Sequence, residues 1–257
     1  MKGGFGVVRI TVWNESEHKG KAYPDGMSRA IKEGLDLNDG FEVVCAYLDE
    51  DQQGLPDALL NETDVLIWWG HSKHEKVRDD LVEKIIKRVN EGMGIIFLHS
   101  AHFSKAFRKL MGTHCSLRWR EKEGEAERIW TVDPYHPIAR GVEQGFRLDG
   151  DEMYGEHFDI PTPDALVFIG WFSGGNVFRS GCTFTRGQGR IFYFQPGHET
   201  FPIFYDENIR QIMENACLWA AKKDEGTTDF EANPKCIHER VPLEEICPKT
   251  KKKFFGI

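Results

Sequence analysis

The sequence predicts an α/β protein: a doubly wound, mostly parallel sheet with extra β-rich insertions in its second half. Three observations carry this reading. Up to residue 111, short and nearly continuous apolar runs alternate with stretches of helical spacing, the pattern of βα units joined by right-handed crossovers. From residue 116 that alternation gives way to strands separated by turns such as Ser173-Gly174-Gly175-Asn176. Finally, three apolar runs end at histidine. Trp68-Trp69 runs into Gly70-His71, Phe97-Leu98 into His99-Ser100-Ala101-His102, and Tyr193-Phe194 through Gln195-Pro196 into Gly197-His198-Glu199. In an open parallel sheet, ligands bind outside the carboxyl ends of the strands. The sequence places imidazoles and a carboxylate there.

The elements follow in order. Residues 7–13 form the first strand, being short, β-branched and almost wholly apolar. A polar loop over 14–26 carries Glu15, Glu17 and His18, and a helix over 27–37 then puts Ala30, Ile31 and Leu35 on one face. The second strand spans 41–48, a short helix 56–61, and the third strand 64–69. Over 75–91, Val77, Leu81, Val82, Ile85, Ile86 and Val89 recur at helical spacing, and Gly92 stands in the favoured terminating position. The fourth strand covers 95–98 and a helix 104–111. Further strands fall at 128–132, 167–172, 177–178, 182–186 and 190–194. Residues 208–222 close the domain as an amphipathic helix on Ile209, Ile212, Met213, Ala216, Cys217 and Trp219. Residues 1–222 thus read as one domain, and 223–257 as a polar linker and a tail with a basic end.

Composition bounds the function. The chain of 257 residues is 40% hydrophobic and 29% charged, an ordinary globular balance. A net charge of −8 argues against nucleic acid as an obligate partner, because phosphate binding needs a basic footprint. No apolar stretch approaches the roughly 18–20 residues of a spanning helix. The opening Met1-Lys2-Gly3-Gly4 leads into a strand rather than a signal peptide's apolar region, so a cytoplasmic location away from membranes is expected. The six cysteines include no CxxC pair and read as reduced thiols, several of them buried. Two-fold dimers are common at this size, and a homo-oligomer is expected.

Several residue groups could carry chemistry. The turn at His99-Ser100 lies where a strand meets a helix, the place of a strained nucleophile elbow. His99 falls at the elbow and Ser100 one past it. A serine nucleophile would need His71 or His198 as its base, but the flanks are not G-x-S-x-G, and no cysteine stands there for glutaminase chemistry. The acid-rich run Asp149-Gly150-Asp151-Glu152-Met153-Tyr154-Gly155-Glu156-His157 is either a solvated loop or a pair of carboxylates that divide acid and base roles, with Glu152 and His157 preferred. His71 with His74, and His99 with His102, have a spacing of three, which on a helix would suit a divalent metal, although neither pair has the H-E-x-x-H form. In the tail, Cys236, His238 and Cys247 are candidate ligands of a structural zinc, in a segment too poor in apolar residues to fold unaided. Their spacing matches no standard zinc motif, and spare thiols are the plainer alternative.

Longer motifs carry a resemblance. Trp13-Asn14-Glu15 with His18, Tyr23-Pro24-Asp25-Gly26-Met27, Trp68-Trp69-Gly70-His71 and Leu98-His99-Ser100-Ala101-His102-Phe103-Ser104-Lys105 are four of them. Leu110-Met111-Gly112-Thr113, the run from Cys115 to Glu121, and His136-Pro137-Ile138-Ala139 continue the series. Glu152-Met153-Tyr154-Gly155-Glu156-His157-Phe158, Phe178-Arg179-Ser180-Gly181-Cys182 and Pro196-Gly197-His198-Glu199-Thr200 complete it. Over about residues 5–222 the chain resembles the ThuA family of trehalose utilisation proteins. The resemblance implies a flavodoxin-like sheet of the class I glutamine amidotransferase type without the catalytic cysteine. It also implies a role in disaccharide catabolism beside an oxidoreductase that makes 3-keto sugars.

The polar inventory fits a sugar, whose hydroxyls need planar donors and acceptors and whose apolar face needs an aromatic ring. His71, His99, His102, Glu152 and His198 are the expected catalytic residues, and His18, Trp13, Arg118, Tyr154, His157 and Glu199 the expected substrate contacts. Trp69, Trp119 and Arg120 are further candidates. On a 3-keto sugar, histidine and glutamate would remove the acidified C–H beside the carbonyl by acid–base catalysis. The rival reading is a non-catalytic sugar-binding or accessory subunit of the oxidoreductase, which would have little need for clustered titratable groups.

Overall fold

The computed structural model describes residues 6–224, and of 121–124 the backbone alone. Among these residues nine strands form one sheet in the order β2-β1-β3-β4-β9-β8-β7-β5-β6. Its first five members are parallel: β2 (Phe41–Tyr47), β1 (Val8–Asn14), β3 (Val65–Trp69), β4 (Gly94–Leu98) and β9 (Gly189–Phe194). From β9 the sheet continues antiparallel through β8 (Val177–Arg186), β7 (Ala165–Phe172), β5 (Arg118–Thr131) and β6 (Gly145–Gly155). Among the described residues five α-helices accompany it: α1 (Met27–Leu35), α2 (Asp57–Glu62), α3 (Asp79–Glu91), α4 (Lys105–Met111) and α5 (Glu207–Ala220).

Every residue of β3 and β4 is buried, because helices cover both faces of the parallel half. Val12, Ile67, Trp69, Ile96, Leu98, Phe192 and Phe194 pack beneath α1 and α5. The alternate side chains Trp13, Leu66, Trp68, Ile95, Phe97, Ile191 and Tyr193 pack beneath α2, α3 and α4. Each such side chain contributes about 1.5–3 kcal/mol. The start of β4 lies so close to the end of α5 that a Cβ on Gly94 would stand 2.6 Å from that of Ala220, so glycine is required there. Ser104 caps α4 by accepting the Phe107 amide, and Asp206 caps α5 by accepting those of Asn208 and Ile209.

Four elements differ from the sequence-based expectation. The helix expected over 75–91 begins only at Asp79, because His74–Lys76 make a 3-10 turn and Val77 and Arg78 are extended. The strand expected at 128–132 is the fourteen-residue β5, and the strands expected at 177–178 and 182–186 are the single strand β8, continuous through Gly181. A side chain on Gly181 would strike Phe168 of β7, so the glycine marks close packing rather than a break. The acid-rich run is strand β6 as far as Gly155, not a loop, and buries Asp151 and Glu152. Acidic residues at inward positions hide the alternation that announces a strand.

Candidate functional site

The three histidine-terminated strands meet as their positions imply. β3, β4 and β9 are neighbours and parallel, so His71, His99 and His198 emerge at one edge of the sheet. Ring centroids lie 6.1 Å apart for His71 and His99, and 5.3 Å apart for His198 with either of them. β6 is last in strand order, yet its Asp151 and Glu152 hydrogen-bond to the ends of β4 and β9, so the antiparallel half folds back over this edge.

His99 is the buried centre. It sits at φ 52°, in the left-handed region that non-glycine residues rarely adopt, at the turn from β4 into the 3-10 segment His99–Phe103. Its Nδ1 donates to the Gln195 carbonyl at 2.9 Å, and its Nε2 meets Glu152 Oε2 at 3.0 Å. The Tyr154 ring stacks on it at 4.8 Å. Because a carbonyl only accepts, Nδ1 carries a proton, and Nε2 shares one with the Glu152 carboxylate. Burial pushes the Glu152 carboxyl up, but the His99 hydrogen bond and the positive potential of the three rings outweigh it, so the net direction is down.

The other two rings are fixed from outside. His71 Nδ1 lies 3.2 Å from Glu199 Oε2, a contact that raises the imidazole against the opposing effect of burial. Glu199 is pulled down to about 2: burial opposes ionisation, but the His71 hydrogen bond and the charges of His198 and His71 prevail. His198 Nδ1 is 2.8 Å from the Thr200 hydroxyl and 3.3 Å from the Thr200 amide. Burial, then the neighbouring His99, lower that ring to about 4.

Two carboxylates hold the loops that carry the rings. Glu15 accepts the amides of His71, Ser72 and Lys73 and the Ser72 hydroxyl, and so fixes the segment after β3. Asp151 accepts the amides of Glu152, Gly197 and His198 and so fixes the segment after β9. Burial raises Asp151 to about 6 although His99 and these amides oppose it. Beneath it lies a second buried acid, Glu127, which burial and the Asp151 charge hold well above the usual range. Ser180 links Glu127 to Gln195, and Gly170 leaves the room: a Cβ there would lie 2.0 Å from Glu127 Oε1.

The structure thus brings together His71, His99, His198, Glu152, Tyr154 and Glu199, with His18 nearby, its ring edge-on to Trp69 at 4.5 Å. Trp69 also donates its Nε1–H to the Gly197 carbonyl. Other candidates fall elsewhere. His102 is buried behind Tyr154 with Nδ1 donating to the Cys115 carbonyl at 2.7 Å, and burial lowers it to about 3, so it is a neutral packing residue rather than a catalyst. Trp13 is a core residue, stacked on Trp68 with Nε1 donating to the Gln53 carbonyl, so its ring is closed to a sugar. Arg118 and His157 are exposed, and Glu156 is clamped by Arg179. Arg120 pairs with Glu125, and Trp119 stays exposed. Neither spacing-of-three pair holds together: His74 sits on its own 3-10 turn against Phe103, and His102 turns away to Cys115. Ser100 donates its hydroxyl to the Gly70 carbonyl, not to a histidine. Cys236, His238 and Cys247 lie outside the described residues.

Sequence reasoning missed Gln195 and the clamping roles of Glu15, Asp151 and Glu127. Their signal is a polar residue at a position the strand pattern buries, and a single sequence shows that only once the strands are known.

The fold and the cluster define a mixed α/β protein with a buried histidine–carboxylate site at the carboxyl edge of its parallel strands. The chain belongs to the ThuA family, described by trehalose utilisation, whose sequence model matches residues 9–220. No curated protein matches it. Among solved structures it is similar to a ThuA-like protein of Bacteroides uniformis, at TM-score 0.63 and 16% identity, covering 88% of this chain and 96% of that one. A ThuA-like protein of Parabacteroides merdae gives 0.62 at 14% identity, covering 89% and 94%. A cytoplasmic protein of Salmonella typhimurium gives 0.57 at 15%, covering 83% and 99%. At these identities the likeness concerns the fold. Family membership supplies a broad role in sugar utilisation, and no helix among the described residues is long and apolar enough to cross a membrane.

Proposed function

We propose that the chain is a carbohydrate-active enzyme that processes a disaccharide, or its 3-keto derivative, by acid–base chemistry at this site. The observation that carries the reading is the convergence of three imidazoles and the Glu152 carboxylate at one strand edge, each ring fixed by its own partner. A binding module has little need of such clustering. Beside a keto group the C–H is acidified. Glu152, whose partner His99 shares its proton, would take that hydrogen as base, and His71, held by Glu199, would protonate the developing oxyanion. The order of the parallel strands and the helices on both faces support a doubly wound, flavodoxin-like core of the amidotransferase type. A cytoplasmic setting, a partner oxidoreductase that supplies the keto sugar, and a homo-oligomer complete the proposal.

The test is turnover of 3-keto-trehalose, with trehalose in parallel, followed by NMR in deuterated water. Wild-type protein should consume the substrate or exchange the hydrogen beside its carbonyl, and Glu152→Gln should lose about 10²–10⁴ of that rate. Full activity in Glu152→Gln would remove the assigned base. Saturable binding with neither turnover nor exchange would make the protein an accessory binder.

A further inference from the structure

We propose that His71, His99 and His198 form a binding site for a divalent late first-row transition ion such as zinc, with Glu152 at the fourth position. One ring nitrogen of each histidine lies within 4.8 Å of those of the other two, and among the described residues this is the one group of three such ligands. The second observation is what holds the rings. A metal-bound histidine characteristically donates its other N–H to a carboxylate, a carbonyl or another acceptor, which fixes the tautomer and aims the free nitrogen. His71 and His99 do so here. His71 Nδ1 faces the Glu199 carboxylate at 3.2 Å, His99 Nδ1 the Gln195 carbonyl at 2.9 Å, and His198 Nδ1 the Thr200 hydroxyl at 2.8 Å. The Thr200 amide donates to the same His198 Nδ1 at 3.3 Å, so this ring must move its proton from Nε2 to Nδ1, where the Thr200 hydroxyl accepts it, before Nε2 can ligate. Nε2 of each ring is left as the ligating atom.

The dimensions are close to those of an ion site. Four ligands at about 2.0–2.1 Å from a tetrahedral zinc stand about 3.4 Å from one another. Glu152 Oε2 is already 3.0 Å from His99 Nε2. All three nitrogens lie within 4.8 Å of one another, so the widest pair must close by at most about 1.4 Å. His71 supplies that freedom, since it stands on a loop with its side chain 32% exposed, whereas His99 is wholly buried. Three neutral nitrogens and one carboxylate suit zinc and its neighbours rather than magnesium or calcium, which take oxygen ligands. On binding, the ion replaces the proton shared by His99 Nε2 and Glu152, and that proton leaves to solvent. Were a carbonyl oxygen of the sugar to displace Glu152 from the ion, the metal would polarise that oxygen in place of a proton from His71, and Glu152 would be freed to act as the base. The inference rests on the reading above in placing the reaction at this pocket, but its test needs no turnover.

Full-length protein would be stripped with a chelator and titrated with Co²⁺, followed by visible absorption, and with Zn²⁺ by calorimetry. A Cys236→Ser/Cys247→Ser background removes the two tail cysteines from competition for the metal. One equivalent of each metal should bind, with the visible bands of a four-coordinate cobalt site. His198→Ala and His71→Ala should abolish that equivalent while circular dichroism shows the fold retained, and the milder Glu199→Gln should weaken binding about 10–100-fold. Retention of the equivalent in both histidine variants would place the metal elsewhere and overturn the proposal. So would absence of binding up to millimolar metal. Metal bound as expected with no activity on any sugar would leave this site standing and sink the enzymatic reading instead.

Discussion

His102 offers a test that separates a structural imidazole from a catalytic one without any substrate. Its ring is 1% exposed, its Nδ1–H donates to the Cys115 carbonyl at 2.7 Å, and Tyr154, Phe158 and Tyr193 surround it edge-on. Burial lowers the folded ring to about 3, against 6.5 in the unfolded chain. Between those values the unfolded chain binds one more proton than the folded one, so stability falls as pH falls. At pH 7.5 both states are neutral and nothing is lost. At pH 5 the ring costs about 1.5 units at 1.36 kcal/mol each, or about 2 kcal/mol. His102→Asn keeps a donor near the Cys115 carbonyl and removes the titration, at the fixed cost of a small cavity. Urea unfolding at pH 7.5 and pH 5 measures both proteins. Wild type should lose about 2 kcal/mol more than the variant between the two pH values, and the cavity term cancels in that comparison. Equal losses would show that His102 does not titrate on unfolding, and its assignment as a buried neutral residue would be wrong.

Other outcomes follow from the same contacts. Glu15→Gln replaces an oxygen that accepts amide hydrogens with an NH2 group facing them, and should destabilise by about 1–3 kcal/mol. At about 2–4 °C per kcal/mol, thermal unfolding would show it, and an unchanged midpoint would remove Glu15 as the clamp of the His71 loop. Gly94→Ala drives a methyl into Ala220, 2.6 Å from its Cβ, and should cost about 1–3 kcal/mol in chemical denaturation; wild-type stability would mean that α5 shifts freely on β4. Ser100→Ala removes the hydrogen bond to the Gly70 carbonyl and the contact of the Ser100 hydroxyl with Tyr154, and should leave keto-sugar turnover nearly intact. A loss of several orders of magnitude would restore serine as the nucleophile.

The parallel half of the fold was legible in the sequence because strands buried on both faces are written as unbroken apolar runs, and 64–69 and 95–98 fall within one residue of β3 and β4. Histidine at the ends of those runs and of β9 was enough to place three imidazoles at one edge, since parallel neighbours bring their carboxyl ends together. The antiparallel half was less legible. β6 carries its acids inward, so its pattern imitates a loop, and nothing local states that the last strand in the order folds back over β4 and β9. Spacing likewise placed His102 beside His99, but His99 stands at φ 52°, outside helical geometry, and the His102 ring turns to the Cys115 carbonyl. What the sequence determined by itself is the set of chemical groups and the strand ends that carry them. Which nitrogen meets which oxygen was decided only by tertiary structure: Glu152 and His99 are 53 positions apart, and their 3.0 Å contact exists because the antiparallel half folds back over the ends of β4 and β9.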